Sequence, residues 1–283
     1  MRGLESTPDS VLDAFSREVL GIFKEHQLVR QTALEITSLT LEEAYKVQDR
    51  YIAARVSAGE NTVGWKIGCT SLVIQQQLGL TEPICGRLMK PHIYPDNAAF
   101  STRAFVDCAV EAEMVLFMGR DLSQSMDVDD LGRSVSAVCA GIELHNYRFW
   151  YGKPTSQELI ALNGIHAALV VGQRRALSGE ADLNLEAMNV LVNGQSVAAG
   201  VGAEIMGGPL NSLRWLVLHL AQRGLQVRRG DLVIPGSAVK LVLVSSGDKV
   251  EARFASIGSC WARFHSSDQK QAENQSSLGC PAT

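Results

Sequence analysis

The sequence predicts an α+β fold: a mixed β-sheet curled into a roll or barrel, with a helical appendage at the N-terminus. Two amphipathic helical segments come first. From about Asn61 the texture changes to short β-rich runs separated by glycine turns. Those strands do not alternate regularly with helices, which argues against a doubly wound parallel sheet. The expected division is a helical appendage over 1–62, a mixed-sheet domain over 63–265 and a polar, disordered tail over 266–283.

Thr7-Pro8 offers a cap and an N1 proline for the first helix. Val11, Leu12, Phe15, Val19, Ile22 and Phe23 follow at helical spacing. Thr40 and Glu43 form a capping box for a second helix that should stop near Gly59. Strands are expected at 64–68, 105–118, 137–144, 167–171, 190–192, 232–234, 239–244, 250–254 and 260–264. Asn193-Gly194 is a two-residue hairpin signal, and Gly247-Asp248 marks another turn. Helices are expected to start near Ser71 and near Asp127. A third runs from Pro209 to Arg223, with Gly224 as its stop. Residues 266–283 lack aromatics and read as disordered on composition.

The chain has 283 residues, 46% of them hydrophobic and 20% charged, enough for a sizeable core. Lys and Arg total 26 against 30 Asp and Glu, a net charge of −4. That mild acidity offers no general attraction to nucleic acid or anionic membranes. No apolar run approaches the roughly 18–20 residues that span a bilayer, and the start lacks the pattern of a secretory signal. A cytoplasmic chain is expected. Six cysteines without a C-x-x-C pair read as buried thiols.

The run from Val106 to Met118 is apolar enough for a strand buried on both faces, yet it carries Glu111 and Glu113. At i and i+2 they project from one face, roughly 7 Å apart. Buried together they repel and lose hydration. Protonation of one, a basic partner such as an arginine, or a hard divalent cation between them would resolve the conflict. Glu143 ends a second apolar run, Val138 to Leu144, as a ligand at the mouth of a site would. His145, two residues on, could share its face and bind metal or carry a proton; a structural histidine is the plainer alternative. Lys66, bracketed in Gly64-Trp-Lys-Ile-Gly68, could anchor a carboxylate or move a proton near a metal, or be an exposed edge lysine. Gly200-Val-Gly202 lacks the setting of a dinucleotide loop, and Ser237 lacks a nucleophile elbow.

Seven segments in order resemble the fumarylacetoacetate hydrolase superfamily, and within it the 2-keto-4-pentenoate hydratase / 4-oxalocrotonate decarboxylase branch. They are residues 64–71, 82–88, 110–114, 141–148, 197–200, 229–237 and 257–260. The resemblance implies a mixed sheet of the fumarylacetoacetase C-terminal type rolled around a metal site. It implies Mg2+ or Mn2+ on Glu111, Glu113 and Glu143, chelating a 2-keto or 2-hydroxydienoate acid and stabilising an enolate. Lys66 and His145 are the expected catalytic groups, and Arg148, Asn163 and Ser237 the expected substrate-binding groups. The implied activity is a lyase, either hydratase or decarboxylase, in a homo-oligomer that could associate with a pathway partner enzyme.

The sequence departs from the branch pattern at three acids, which are here Ile84, Asn146 and Leu162. Water addition needs a positioned acid or base, so two alternatives stand beside the lyase. One is a repurposed dehydratase, cyclase or isomerase. The other is a non-catalytic partner subunit.

Overall fold

The computed structural model describes residues 7–25, 38–105, 107–146, 155–177 and 182–266. The expected tail therefore lies, from residue 267 on, outside the described residues.

Helix α1 (Asp9–Glu25) buries Leu12, Phe15 and Val19 of the expected apolar stripe, while Val11 is exposed. Helix α2 (Leu41–Ser57) opens on the Thr40–Glu43 capping box, in which each residue satisfies an orphan backbone N–H. Its inner face is fastened to the rest of the chain by polar contacts as well as packing. Gln48 Nε2 donates to the carbonyls of Cys85 (3.0 Å) and Ile160 (2.7 Å). The Cys85 N–H donates to Tyr45 Oη at 3.1 Å. One continuous apolar cluster runs from Leu12 to Phe264, so the appendage and the sheets share a core.

The strands are β1 (Thr62–Gly68), β2 (Ile84–Met89), β3 (Ile93–Pro95), β4 (Ala98–Ser101), β5 (Cys108–Met118), β6 (Val135–Asn146), β7 (His166–Val171), β8 (Ala187–Val192), β9 (Gln195–Val201), β10 (Leu232–Ile234), β11 (Val242–Leu243), β12 (Lys249–Phe254) and β13 (Ser259–His265). Between them lie α3 (Leu72–Leu78), α4 (Val128–Ser134), α5 (Ser156–Ala161) and α6 (Pro209–Gln222). The larger sheet has the order β2-β1-β10-β5-β6-β7-β3, with β11 also on β5. The smaller has the order β4-β13-β12-β8-β9 and packs through β12 and β13 on β5, β6 and β7. Both sheets are mixed: β1 with β10, β3 with β7 and β4 with β13 are parallel, the other pairs antiparallel.

The α+β architecture is as expected. Strands β2, β3, β4 and β11 and helix α5 differ from the sequence reading, and β9 was expected only through the Asn193-Gly194 hairpin. Gly86 and Arg87 interrupt the apolar run of β2, and β3 and β4 are too short to show a period. Helix α5 is only six residues long, although it carries its own capping box, Thr155–Glu158. The expected strand over 239–244 shrinks to Val242–Leu243. Among the described residues no helix is long and apolar enough to cross a membrane.

Candidate functional site

The long hairpin of β5 and β6 sets Glu111 directly opposite Glu143 and Glu113 opposite Gly141. Because side chains alternate, Glu111, Glu113, Glu143 and His145 share one face. A register shift between Leu144 and His145 on the β7 side places His145 opposite His166. Such an irregularity re-aims a side chain next to a site.

The sheet is rolled so strongly that Lys66, on β1, reaches Glu143 on β6, three strands along the order. Lys66 Nζ lies 2.8 Å from Glu143 Oε1 and donates to the Gly164 carbonyl at 3.1 Å. His166 Nδ1 lies 2.8 Å from the same Oε1. One oxygen of Glu143 is thus anchored by two basic groups. The other, Oε2, faces Glu111 and His145. His145 Nε2 is 3.2 Å from Glu111 Oε2 and 3.4 Å from Glu143 Oε2. Lys66, Glu113, Glu143, His145 and His166 are all buried, and Glu111, with 20% of its side chain exposed, marks the open side.

The electrostatics follow from burial and neighbours. Burial pushes the Glu143 carboxyl up, but Lys66, His145 and His166 outweigh it and hold it well below the usual carboxylate range. Burial also opposes charge on Lys66, yet Glu143, Glu111 and Glu113 raise it above its ordinary value, so it is an ammonium. Burial lowers His166, against the pull of Glu143. The Glu143 carboxylate can only accept, so His166 donates its Nδ1–H to it. Glu113 goes the other way: burial first, then the charges of Glu143 and Glu111, push it well above its ordinary value, although the Gly236 N–H donates to it.

Buried polar atoms are normally hydrogen-bonded. Here, among the described residues, Glu113 Oε2, Glu143 Oε2 and both ring nitrogens of His145 are buried without a hydrogen-bond partner. Donor atoms of Glu111, Glu143 and His145 all lie within 4.8 Å of one another. A divalent cation is the species that such orphaned donors fit. Among the described residues, the basic partners of the acids are Lys66, His145 and His166.

Of the expected residues, the structure brings Lys66, Glu111, Glu113, Glu143 and His145 together. Asn163 is buried with its amide turned to β2: Oδ1 accepts from Arg87 N–H at 2.6 Å and Nδ2 donates to Arg87 O at 3.0 Å. Ser237 Oγ donates to the Ala112 carbonyl at 2.7 Å and accepts from Val239 N–H. Both polar side chains are engaged with backbone rather than left open to a ligand. Arg148 lies outside the described residues. The sequence reading missed His166. It opens the apolar run of β7, so its one signal was a histidine at the head of a buried strand.

Residues 89–265 match the fumarylacetoacetate (FAA) hydrolase C-terminal family. The chain is 31% identical over 246 residues to a 2-keto-4-pentenoate hydratase of Paraburkholderia phymatum, covering 85% of this chain and 94% of that one. It is 28% identical over 229 residues to a 2-hydroxyhexa-2,4-dienoate hydratase of Comamonas testosteroni, covering 80% and 87%. Among solved structures it is similar to 4-oxalocrotonate decarboxylase from Pseudomonas putida G7, complexed with magnesium and adipate. The TM-score is 0.87 at 25% identity, over 92% of this chain and 99% of that one.

Proposed function

Because this chain belongs to the fumarylacetoacetate hydrolase superfamily, in its 2-keto-4-pentenoate hydratase / 4-oxalocrotonate decarboxylase branch, we propose that it is a metal-dependent hydratase or decarboxylase of a short 2-keto or 2-hydroxydienoate acid. The observation that carries the reading is the convergence of three buried or half-buried carboxylates, with orphaned oxygens, beside the Lys66 ammonium.

Glu111, Glu113 and Glu143 would hold Mg2+ or a similar divalent ion. When bound, such an ion supplies Lewis-acid charge for the oxygens of a 2-keto acid. Lys66 does the rest of the charge work. An ammonium has three N–H donors, and Glu143 and the Gly164 carbonyl account for two. The third would bind a substrate carboxylate or pass a proton to carbon as the dienoate is consumed. His166 keeps Glu143 ionised and oriented. Substrate enters from the Glu111 side, where the wall is open.

One observation favours a second reading, a repurposed dehydratase, cyclase or isomerase. Ile84 is buried opposite Gly68 on the neighbouring strand, diagonal to Lys66 and on its face. The wall beside the lysine is therefore apolar where the branch pattern carries an acid.

The test follows the loss of dienoate absorbance, and of 4-oxalocrotonate-type keto-acids, with purified protein before and after EDTA. Turnover that EDTA abolishes and added Mg2+ or Mn2+ restores is the expected result. No turnover of any short dienoate or keto-acid with metal present would remove this reading and leave the second.

A further inference from the structure

We propose that His145 Nε2 is itself a ligand of the cation held by Glu111 and Glu143. The site then takes a later first-row divalent ion, of the Fe2+, Co2+ or Zn2+ class, in preference to Mg2+. The inference rests on the metal-site reading above and specifies its donor set.

The argument is geometric. His145 Nε2 stands 3.2 Å and 3.4 Å from one oxygen of each carboxylate, and these contacts are not hydrogen bonds. Two ligands on adjacent corners of an octahedral ion at about 2.1 Å lie about 3 Å apart. His145 Nε2 is thus spaced as a neighbour of each carboxylate on one coordination sphere, and the three donors lie within 4.8 Å of one another. His145 is 3% exposed, and among the described residues neither of its ring nitrogens has a hydrogen-bond partner. A proton carrier needs a hydrogen-bonded route in or out, which this imidazole lacks, so ligation accounts for it better than the catalytic role expected from sequence. Strand β6 keeps a regular register with β5 through His145, so alternation alone puts His145 on the face of the two carboxylates.

The chemistry then sets the preference. Mg2+ is a hard ion that favours oxygen and dehydrates reluctantly. Imidazole nitrogen suits the later transition ions, whose affinity for such sites rises along the series. An imidazole added to the glutamates makes a mixed nitrogen–oxygen set, unlike the all-oxygen set of three glutamates.

The experiment strips the full-length protein with EDTA and titrates it with Co2+ and with Mg2+ by calorimetry. It also records the proton NMR spectrum of the Co2+ form, in which the N–H of a ligating imidazole is strongly shifted. Wild type should bind Co2+ at least about tenfold more tightly than Mg2+. It should show a shifted imidazole N–H that His145→Ala loses while still binding Mg2+. Where the alanine variant fails to fold, His145→Asn serves the same comparison. Co2+ bound without that resonance, or a resonance that survives in the variant, overturns the ligand assignment and leaves the carboxylate site standing. Failure of wild type to bind either cation overturns both.

Discussion

At the scale of single residues the site is a balance between Lys66 and the acids around it. Replacing Lys66 with methionine keeps the volume but strips Glu143 of its main counter-charge in a setting without water. Removing one partner of a buried pair costs about 3–5 kcal/mol, and chemical denaturation of Lys66→Met should show a loss of that order along with loss of turnover. Glu113 gives a pH signature. Its folded carboxyl is raised above 4.5 by burial and by Glu143 and Glu111. Folding therefore takes up a proton there, and without a cation its contribution to stability falls as pH rises through that window. A bound cation offsets the charge. The gap in Tm between metal-loaded and EDTA-treated protein should widen as pH rises above about 4.5, and Glu113→Gln should flatten that widening. An unchanged gap across pH would show that Glu113 does not face the ion.

At the scale of elements, β1, β2 and the turn before β7 act together. Asn163 (φ 56°) clamps the β2 backbone at Arg87, and the next residue, Gly164, offers its carbonyl to Lys66. Gly86, opposite Lys66 on β2, leaves the room for this: a Cβ there would lie 2.7 Å from Asn163 Oδ1 and 2.9 Å from Asn163 O. Behind the site, the Arg87 guanidinium lies 3.7 Å from the centroid of the buried Trp65 ring and fixes β1 from its other face. Asn163→Ala leaves two backbone groups of β2 short of a partner, which costs about 1–3 kcal/mol. Thermal unfolding should report that loss, and kcat should fall as Lys66 loses its brace. A variant with normal kcat would separate the clamp from the chemistry. Much of this level was legible in the sequence. The Thr40 capping box, the Asn193-Gly194 hairpin and the period of Pro209–Gln222 are local signals, and each element formed where they said. Strand β2 was not legible, because its register depends on Gly86 making space for a residue far along the chain.

At the scale of the whole molecule, the roll of the larger sheet makes the site. Strand period alone put Glu111 and Glu113 on one face, and Glu143 joined them through the family resemblance; the β5–β6 register that sets it opposite Glu111 belongs to the fold. The meeting of Lys66 and His166 at Glu143 could not be read from sequence, because it depends on how far four strands curl, a sum of twists that no local pattern records. The same roll shuts five polar groups into an apolar shell, and an ion that binds only this folded arrangement must stabilise it. At a hundredfold excess over its Kd that linkage is worth about 2.7 kcal/mol. The most direct test counts the ion. Stripped protein equilibrated with Mg2+ or Co2+ and freed of excess metal should carry one divalent ion per chain by elemental analysis, and Glu111→Gln with Glu143→Gln should carry none. A wild-type chain that holds no ion while correctly folded, or a double variant that holds as much as wild type, would contradict the account.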